Sequence, residues 1–318
     1  MGRQRGDPGR KGELVAVVDL GSNAVRFLLA KVKPKTGYRV LVEERARTRL
    51  GAGTPGTLPQ AAIDDTLRAV RRFFAHHVGN GRGPRVVAVA TSAVRDAQNR
   101  ERLLAPLRYR EGIDVQVLSA REEARLGVEA ALDSLDFADG LVVDLGGSSL
   151  QLSRVRSGKI AETLSLPLGA VRTTRRFVHH DPPRPRELRA LRAAVRAELA
   201  AQLPPARRGE VLVGLGGTIR TLATMHLSAH RGERKHRHGL HLSQSDITAI
   251  RERLEALSPR RRRRIRGLKA ERADIILAGT IVVEELMVFG GYLTLVVCTR
   301  GVRDGILLHE TFAPSEQT

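Results

Sequence analysis

The chain has 318 residues, 42% hydrophobic and 28% charged, which is long enough for two domains with separate cores and too apolar for a disordered chain. Its net charge of +20 favours a polyanionic ligand, with a solvated arginine-rich surface as the plain alternative. Aromatic residues at 3%, no Trp, and no helix-turn-helix, zinc-finger or RNP pattern argue against nucleic acid and for a phosphate-rich ligand without bases.

In chain order, the first apolar run, Leu14–Val18, is too short for a signal-peptide core and ends in Asp19, which predicts a cytoplasmic protein. Val17-Val18-Asp19-Leu20-Gly21-Ser22 reads as a strand running into a glycine turn, and Val25–Val32 as the next strand. Gly51-Ala52-Gly53-Thr54-Pro55-Gly56 fits the spacing of a dinucleotide fingerprint, but it lies in a turn-rich loop before a helix and lacks the acidic residue expected about twenty positions on. A strand at Arg85–Ala90 opens into a helix containing Arg95, and a strand at Ile113–Leu118 precedes a helix over Glu122–Leu132. Glu122 and Glu123 in its first turn either complement the helix dipole or supply a base.

A domain boundary is expected near Phe137–Gly140, because the opening pattern then recurs: Val142-Val143-Asp144-Leu145-Gly146-Gly147 repeats Val17–Ser22 at an offset of 125 residues. The same offset pairs Val86–Arg95 with Val211–Arg220. Val117-Leu118-Ser119 pairs with Val297-Cys298-Thr299 only at an offset of 180, so the second half contains an insertion, which coincides with the basic segment His226–Arg272. The five histidines between His226 and His241 lack cysteines and suitably spaced carboxylates and read as part of a basic loop; Arg260–Arg264 reads as an exposed basic turn. Ile281–Cys298 contains Glu284, Glu285 and two glycines, so it reads as a buried helix and a strand, not a membrane span. Cys298, the single cysteine, excludes an internal disulfide and reads as a buried thiol. Two α/β halves, each carrying glycine turns beyond strand ends, predict a two-sided phosphate cleft.

The motifs, in order, are Asp19-Leu20-Gly21-Ser22-Asn23 with Arg26; Ala90–Ala97 with Asn99; Ser119–Leu126; Asp144-Leu145-Gly146-Gly147-Ser148-Ser149; Gly214–Thr218; Glu271-Arg272-Ala273-Asp274; and Gly301–Gly305. Together, from about Leu14 to Glu310, they resemble the exopolyphosphatase and guanosine pentaphosphate phosphohydrolase (Ppx/GppA) family, within the actin, sugar-kinase and Hsp70 superfamily. The resemblance implies an α/β fold of two duplicated actin-like ATPase (ribonuclease H-like) domains with an interdomain cleft. Residues 1–137 would form the N-terminal domain with the catalytic glutamate, and 138–318 the C-terminal domain with a basic insertion at about 226–272 and a last helix able to pack on the first domain.

By the same resemblance Glu123 is the catalytic base and Arg95 reaches phosphate. Gly21, Ser22, Asn23, Arg26, Gly146, Gly147, Ser148, Gly217 and Thr218 would bind phosphate, while Asp144 and Asp19 are candidate Mg²⁺ ligands, though either carboxylate also suits its own glycine turn. The implied activity is release of terminal phosphate from inorganic polyphosphate. The alternatives are a guanosine pentaphosphate 5′-phosphohydrolase, a polyphosphate-binding regulator with weak turnover, or a kinase of the same superfold. No membrane partner is expected, and a homodimer is left open. One departure stands out: where family members commonly read Gly-Gly-Gly-Ser-Thr-Glu, this chain has Gly146-Gly147-Ser148-Ser149-Leu150-Gln151.

Overall fold

A computed structural model describes residues 12–78, 83–180, 182–203, 206–207, 209–230 and 236–312. The chain divides into two compact units, one made of residues up to Ser119 together with those from Val302, the other of Ala120–Gly301.

The first unit opens with β1 (Glu13–Leu20), β2 (Val25–Lys33) and β3 (Gly37–Ala46), and continues with α1 (Gln60–His77), β4 (Arg85–Ala90), α2 (Ser92–Arg95), α3 (Glu101–Glu111) and β5 (Val115–Val117). The sheet order is β3-β2-β1-β4-β5, with β1–β3 an antiparallel meander and β4 and β5 parallel to β1. Alternation along β1 sets its two faces: Ala16, Val18 and Leu20 pack with Phe27, Ile63, Phe73 and Leu103 under α1 and α3, while Val15 and Val17 are buried on the other side.

The second unit begins with α4 (Ala120–Leu132) and then repeats the meander as β6 (Gly140–Leu145), β7 (Leu150–Arg156) and β8 (Lys159–Leu166). There follow α5 (Ala170–Phe177), α6 (Pro185–Gln202), β9 (Val211–Leu215), α7 (Gly216–Ala229), β10 (His241–Ser243), α8 (Gln244–Glu255), α9 (Pro259–Arg262), α10 (Ile276–Gly290) and β11 (Thr294–Val297). The order β10-β11-β9-β6-β7-β8 reproduces the first sheet with one strand added by the insertion. One face, with Leu141, Val143 and Leu145, joins the large core of α6, α7, α8 and α10; the other, with Val142, Val155 and Val213, packs on Val128 and Ala131 of α4 and on Cys298. That second cluster puts α4 in the second unit, so the unit boundary lies at Ser119 and not near 137.

The last helix, α11 (Val302–Phe312), packs on β1, β2 and β3 of the first unit. It is fixed there by Tyr38 Oη donating to Asp304 (2.9 Å), Arg303 Nη2 donating to Glu43 (2.7 Å), and the Lys35 N–H donating to the Thr311 carbonyl (3.1 Å).

The apolar segment expected to be a buried helix is α10, buried nearly all round. Its two acids survive burial because Arg192 bridges Glu284 (2.8 Å) and Glu285 (2.5 Å), Arg196 holds Glu285 (2.5 Å), and Arg251 holds Glu284 (3.0 Å). The basic insertion is largely fold, not loop: β10 extends the sheet, α8 starts on a Ser243–Asp246 capping box, and Ile247 and Leu254 enter the core. Arg262, expected on an exposed turn, is 1% exposed, and its Nε donates to the Leu254 carbonyl. Residues 231–235 of this segment lie outside the described residues. Among the described residues no helix is long and apolar enough to cross a membrane.

Candidate phosphate-binding turns and active site

The turn after β1 is held by its carbonyls. The Gly51 N–H donates to Ser22 O (2.7 Å) and the Arg49 N–H to Asn23 O (3.3 Å), so the Arg49-Leu50-Gly51 segment docks on the turn; Ser22 and Ser92 hydroxyls lie 3.3 Å apart. Arg49 adopts a left-handed φ of 57°, uncommon for a bulky side chain and typical of a conformation imposed by its surroundings. The Asn23 amide and the Thr48 hydroxyl are buried beside it, and neither has a hydrogen-bond partner among the described residues. Leaving such groups unsatisfied costs about 1–3 kcal/mol each, so their retention points to an outside partner.

Asp19 and Arg26 are directly opposite in the β1–β2 register, with Nη1 3.4 Å from Oδ2. The Asp19 carboxylate therefore faces a guanidinium, a poor setting for a divalent cation. Arg95, at the end of α2, donates to the Leu118 carbonyl at 2.8 Å, bracing the end of β5. Its repeat partner Arg220 does the same to Thr299 at 2.9 Å, so this brace is a structural feature of both copies.

The corresponding turn of the second unit is built alike. Ala170, Val171 and Arg172 at the start of α5 donate to the carbonyls of Gly146 (3.0 Å) and Gly147 (2.8 and 3.1 Å), and the Gly169 N–H to Ser148 (3.3 Å). A Cβ on Gly169 would stand 2.2 Å from the Ser148 carbonyl carbon, so only glycine allows this approach. Asp144 lies at the end of β6 on the face covered by α4, since it alternates with Val142. It borders the start of α7: a Cβ on Gly216 would meet Asp144 Oδ1 at 2.6 Å, and Gly216 has a φ of +94°. Gly217, one residue on, is covered by the Arg272 guanidinium, whose Nη2 stands 1.9 Å from the place a Cβ would take. Thr218 is 1% exposed and lies against Gly279 of α10.

Glu123 is placed by α4. Gly127 packs on Leu215, the last residue of β9, while Val128 and Ala131 pack farther back on Val142 and Val213. Four residues before Gly127, about 6 Å along the axis, Glu123 lies on the same helix face in the first turn of α4.

Among the described residues the single group of three potential metal ligands is Glu44, His76 and His77. Glu44 lies 2.5 Å from His77 with Arg72 nearby, and its carboxyl is held below its usual range chiefly by the His77 hydrogen bond.

Residues 28–312 match the model of the Ppx/GppA phosphatase family. The chain belongs to this family. It is 31% identical over 290 residues to Exopolyphosphatase 2 of Mycobacterium tuberculosis, covering 86% of this chain and 89% of that one. The crystal structure of the Aquifex aeolicus Ppx/GppA family member superposes with a TM-score of 0.78 at 29% identity, covering 94% of this chain and 97% of that chain. An exopolyphosphatase structure from Cytophaga hutchinsonii gives 0.83 at 25% identity, covering 94% and 98%. The Ppx/GppA chain has the two-domain actin-like ATPase fold of these neighbours and is a phosphatase-type hydrolase.

In this Ppx/GppA protein Glu123, Asp144, Gly146–Ser148 and Gly217 all belong to the second unit, and Asp19, Gly21–Asn23 and Arg26 to the first. Arg272 was visible in sequence only as one letter of the Glu271–Asp274 motif, because its packing partner Gly217 is 55 residues distant.

Proposed function

We propose that this phosphatase is an exopolyphosphatase that releases terminal orthophosphate from inorganic polyphosphate. The observation that supports this most is the repeated turn: in both copies the carbonyls are engaged by neighbouring backbone N–H groups, and a buried amide, Asn23 in one and Gln151 in the other, stands beside it with no partner among the described residues. Such a turn suits phosphate oxygens, and the net charge of +20 suits a long polyanion.

In this reading Glu123 takes a proton from a water that attacks the terminal phosphorus, while the bond to the bridging oxygen breaks and the shortened chain leaves. Arg272, laid over Gly217 at the head of α7, and the Gly146–Ser148 turn neutralise charge on the phosphoryl oxygens. Asp144 would hold a Mg²⁺ ion here, which would supply charge neutralisation; the ion does not fit beside Asp19, whose carboxylate already faces Arg26.

The test is a malachite-green phosphate assay on long polyphosphate, short polyphosphate and guanosine pentaphosphate with Mg²⁺, using the native protein and Glu123→Gln. Release should be fastest from long polyphosphate and fall about 10²–10⁴-fold in the variant, the usual worth of a general base. Preferential hydrolysis of guanosine pentaphosphate, or near-normal turnover by folded Glu123→Gln, overturns the substrate or the base respectively.

A further inference from the structure

Gln151 is the side chain of the second unit that the fold leaves most exposed to question. It lies opposite Asp144 in the β6–β7 register, so the two share a sheet face and their Cβ atoms are about 5 Å apart. It is 3% exposed, and its Nε2 and Oε1 both lack a partner among the described residues. Its nearest neighbours on that face are Asp144 across β6, Ser165 across β8 and Ser153 two residues on, and none of them hydrogen-bonds the amide. A leucine would fill the position without the desolvation cost, so the amide calls for a partner from outside the chain.

The chemistry of that partner follows from what an amide does and a carboxylate does not. Its NH₂ donates two hydrogen bonds, which suit phosphoryl oxygens; its carbonyl is a hard but neutral oxygen ligand. Beside Asp144 it adds no negative charge, so the pair presents a divalent cation with one carboxylate rather than two. At the repeat-equivalent position the first unit has Arg26 facing Asp19, again no second carboxylate.

We propose that Gln151 is a substrate ligand that binds a phosphoryl oxygen through its NH₂ group, and that by withholding a second carboxylate it makes divalent-metal binding at Asp144 depend on bound phosphate. Cation and phosphate then raise each other's affinity, as linkage requires. This rests on the placement of the phosphate at the Asp144 turn in the proposed function.

The test reads binding, not turnover. Titrate Mn²⁺ by electron paramagnetic resonance into the substrate-free, EDTA-stripped full-length protein, and separately titrate tripolyphosphate calorimetrically without metal, for the native protein, Gln151→Glu and Gln151→Leu. Gln151→Glu should bind Mn²⁺ at least about 10-fold tighter than the native protein, the effect of one added carboxylate on ligand charge count. It should also bind metal-free tripolyphosphate more weakly. Gln151→Leu, which removes the unsatisfied amide, should melt no lower than the native protein yet lose tripolyphosphate affinity about 10-fold, the loss of one hydrogen bond to a charged group. Unchanged Mn²⁺ affinity in folded Gln151→Glu, or native tripolyphosphate affinity in Gln151→Leu, overturns the proposal. A protein that hydrolyses no polyphosphate but shows both shifts keeps this inference and loses the substrate assignment; hydrolysis with neither shift does the reverse.

Discussion

Gly217→Ala separates a functional contact from a structural one within two neighbouring residues. The new Cβ would stand 1.9 Å from Arg272 Nη2 and 2.6 Å from its Cζ, so the guanidinium must retreat by about 1.5 Å or more to reach ordinary van der Waals contact near 3.5 Å. The obstacle is the far end of a flexible side chain, and Ala at the start of a helix is favoured over Gly by up to about 1 kcal/mol, so the two effects offset. Stability should change by no more than about 1 kcal/mol, a Tm shift within about 4 °C for a unit of this size. Turnover should fall far more, about 10²-fold, because a displacement of an ångström in a group that neutralises transition-state charge has that effect. Gly216→Ala is the contrast: at φ +94° its Cβ would meet the Leu145 carbonyl oxygen, fixed backbone, at 2.5 Å. Left-handed strain of about 1–2 kcal/mol plus a clash of about 1–3 kcal/mol should destabilise the second unit itself. The assays are thermal melts by circular dichroism and steady-state phosphate release. Gly217→Ala with native Tm and phosphate release within about threefold of native would refute the placement of Arg272 at the reacting phosphate.

Two further outcomes follow from charges in the fold. Glu187 accepts from His180, His179 N–H and Arg184 N–H, and the His180 hydrogen bond leads in holding its carboxyl down to about 2 against 4.5 unfolded; its contribution is therefore full above about pH 5 and lost as pH falls towards 2. Urea unfolding of the native protein should weaken over that window more steeply than that of Glu187→Gln, and parallel pH profiles would exclude the group. If the excess positive charge serves a long polyanion, polyphosphate affinity measured by filter binding should fall linearly on a log–log plot against salt, by analogy with counterion release; a flat line assigns the charge to general surface solvation.

Much of the fold was legible in sequence because it is written twice. The runs Val17–Ser22 and Val142–Gly147 do begin equivalent meanders, and the strand starting at Arg85 and the Val211 strand open into equivalent helices. What sequence did not give was ownership of α4, whereas the last helix packs on the first unit as the resemblance implied. Local periodicity marks α4 as amphipathic, but which sheet covers its apolar stripe depends on tertiary packing, here Val128 and Ala131 on the second sheet. For the same reason Arg262 looked like surface: a run of five arginines contains no local signal that one guanidinium will be drawn under a core turn to the Leu254 carbonyl.

The duplication also shows where the two copies parted. The penultimate residue of the first strand of each meander is an aspartate, Asp19 or Asp144; facing it on the next strand stands Arg26 or Gln151. At the 180-residue offset that aligns the closing strands, Glu123 of α4 corresponds to Arg303 of α11. In the first unit both positions are therefore arginine: Arg26 is paired with Asp19, and Arg303, 6% exposed, with Glu43. Each cation is bound to an acid of its own unit, and no acid there corresponds to Glu123. In the second unit the same positions hold a neutral amide and a carboxylate, beside an aspartate that faces no arginine across the strand pair. The proposed function draws on that divergence: its base, Glu123, and the amide Gln151 both stand where the first unit carries an arginine.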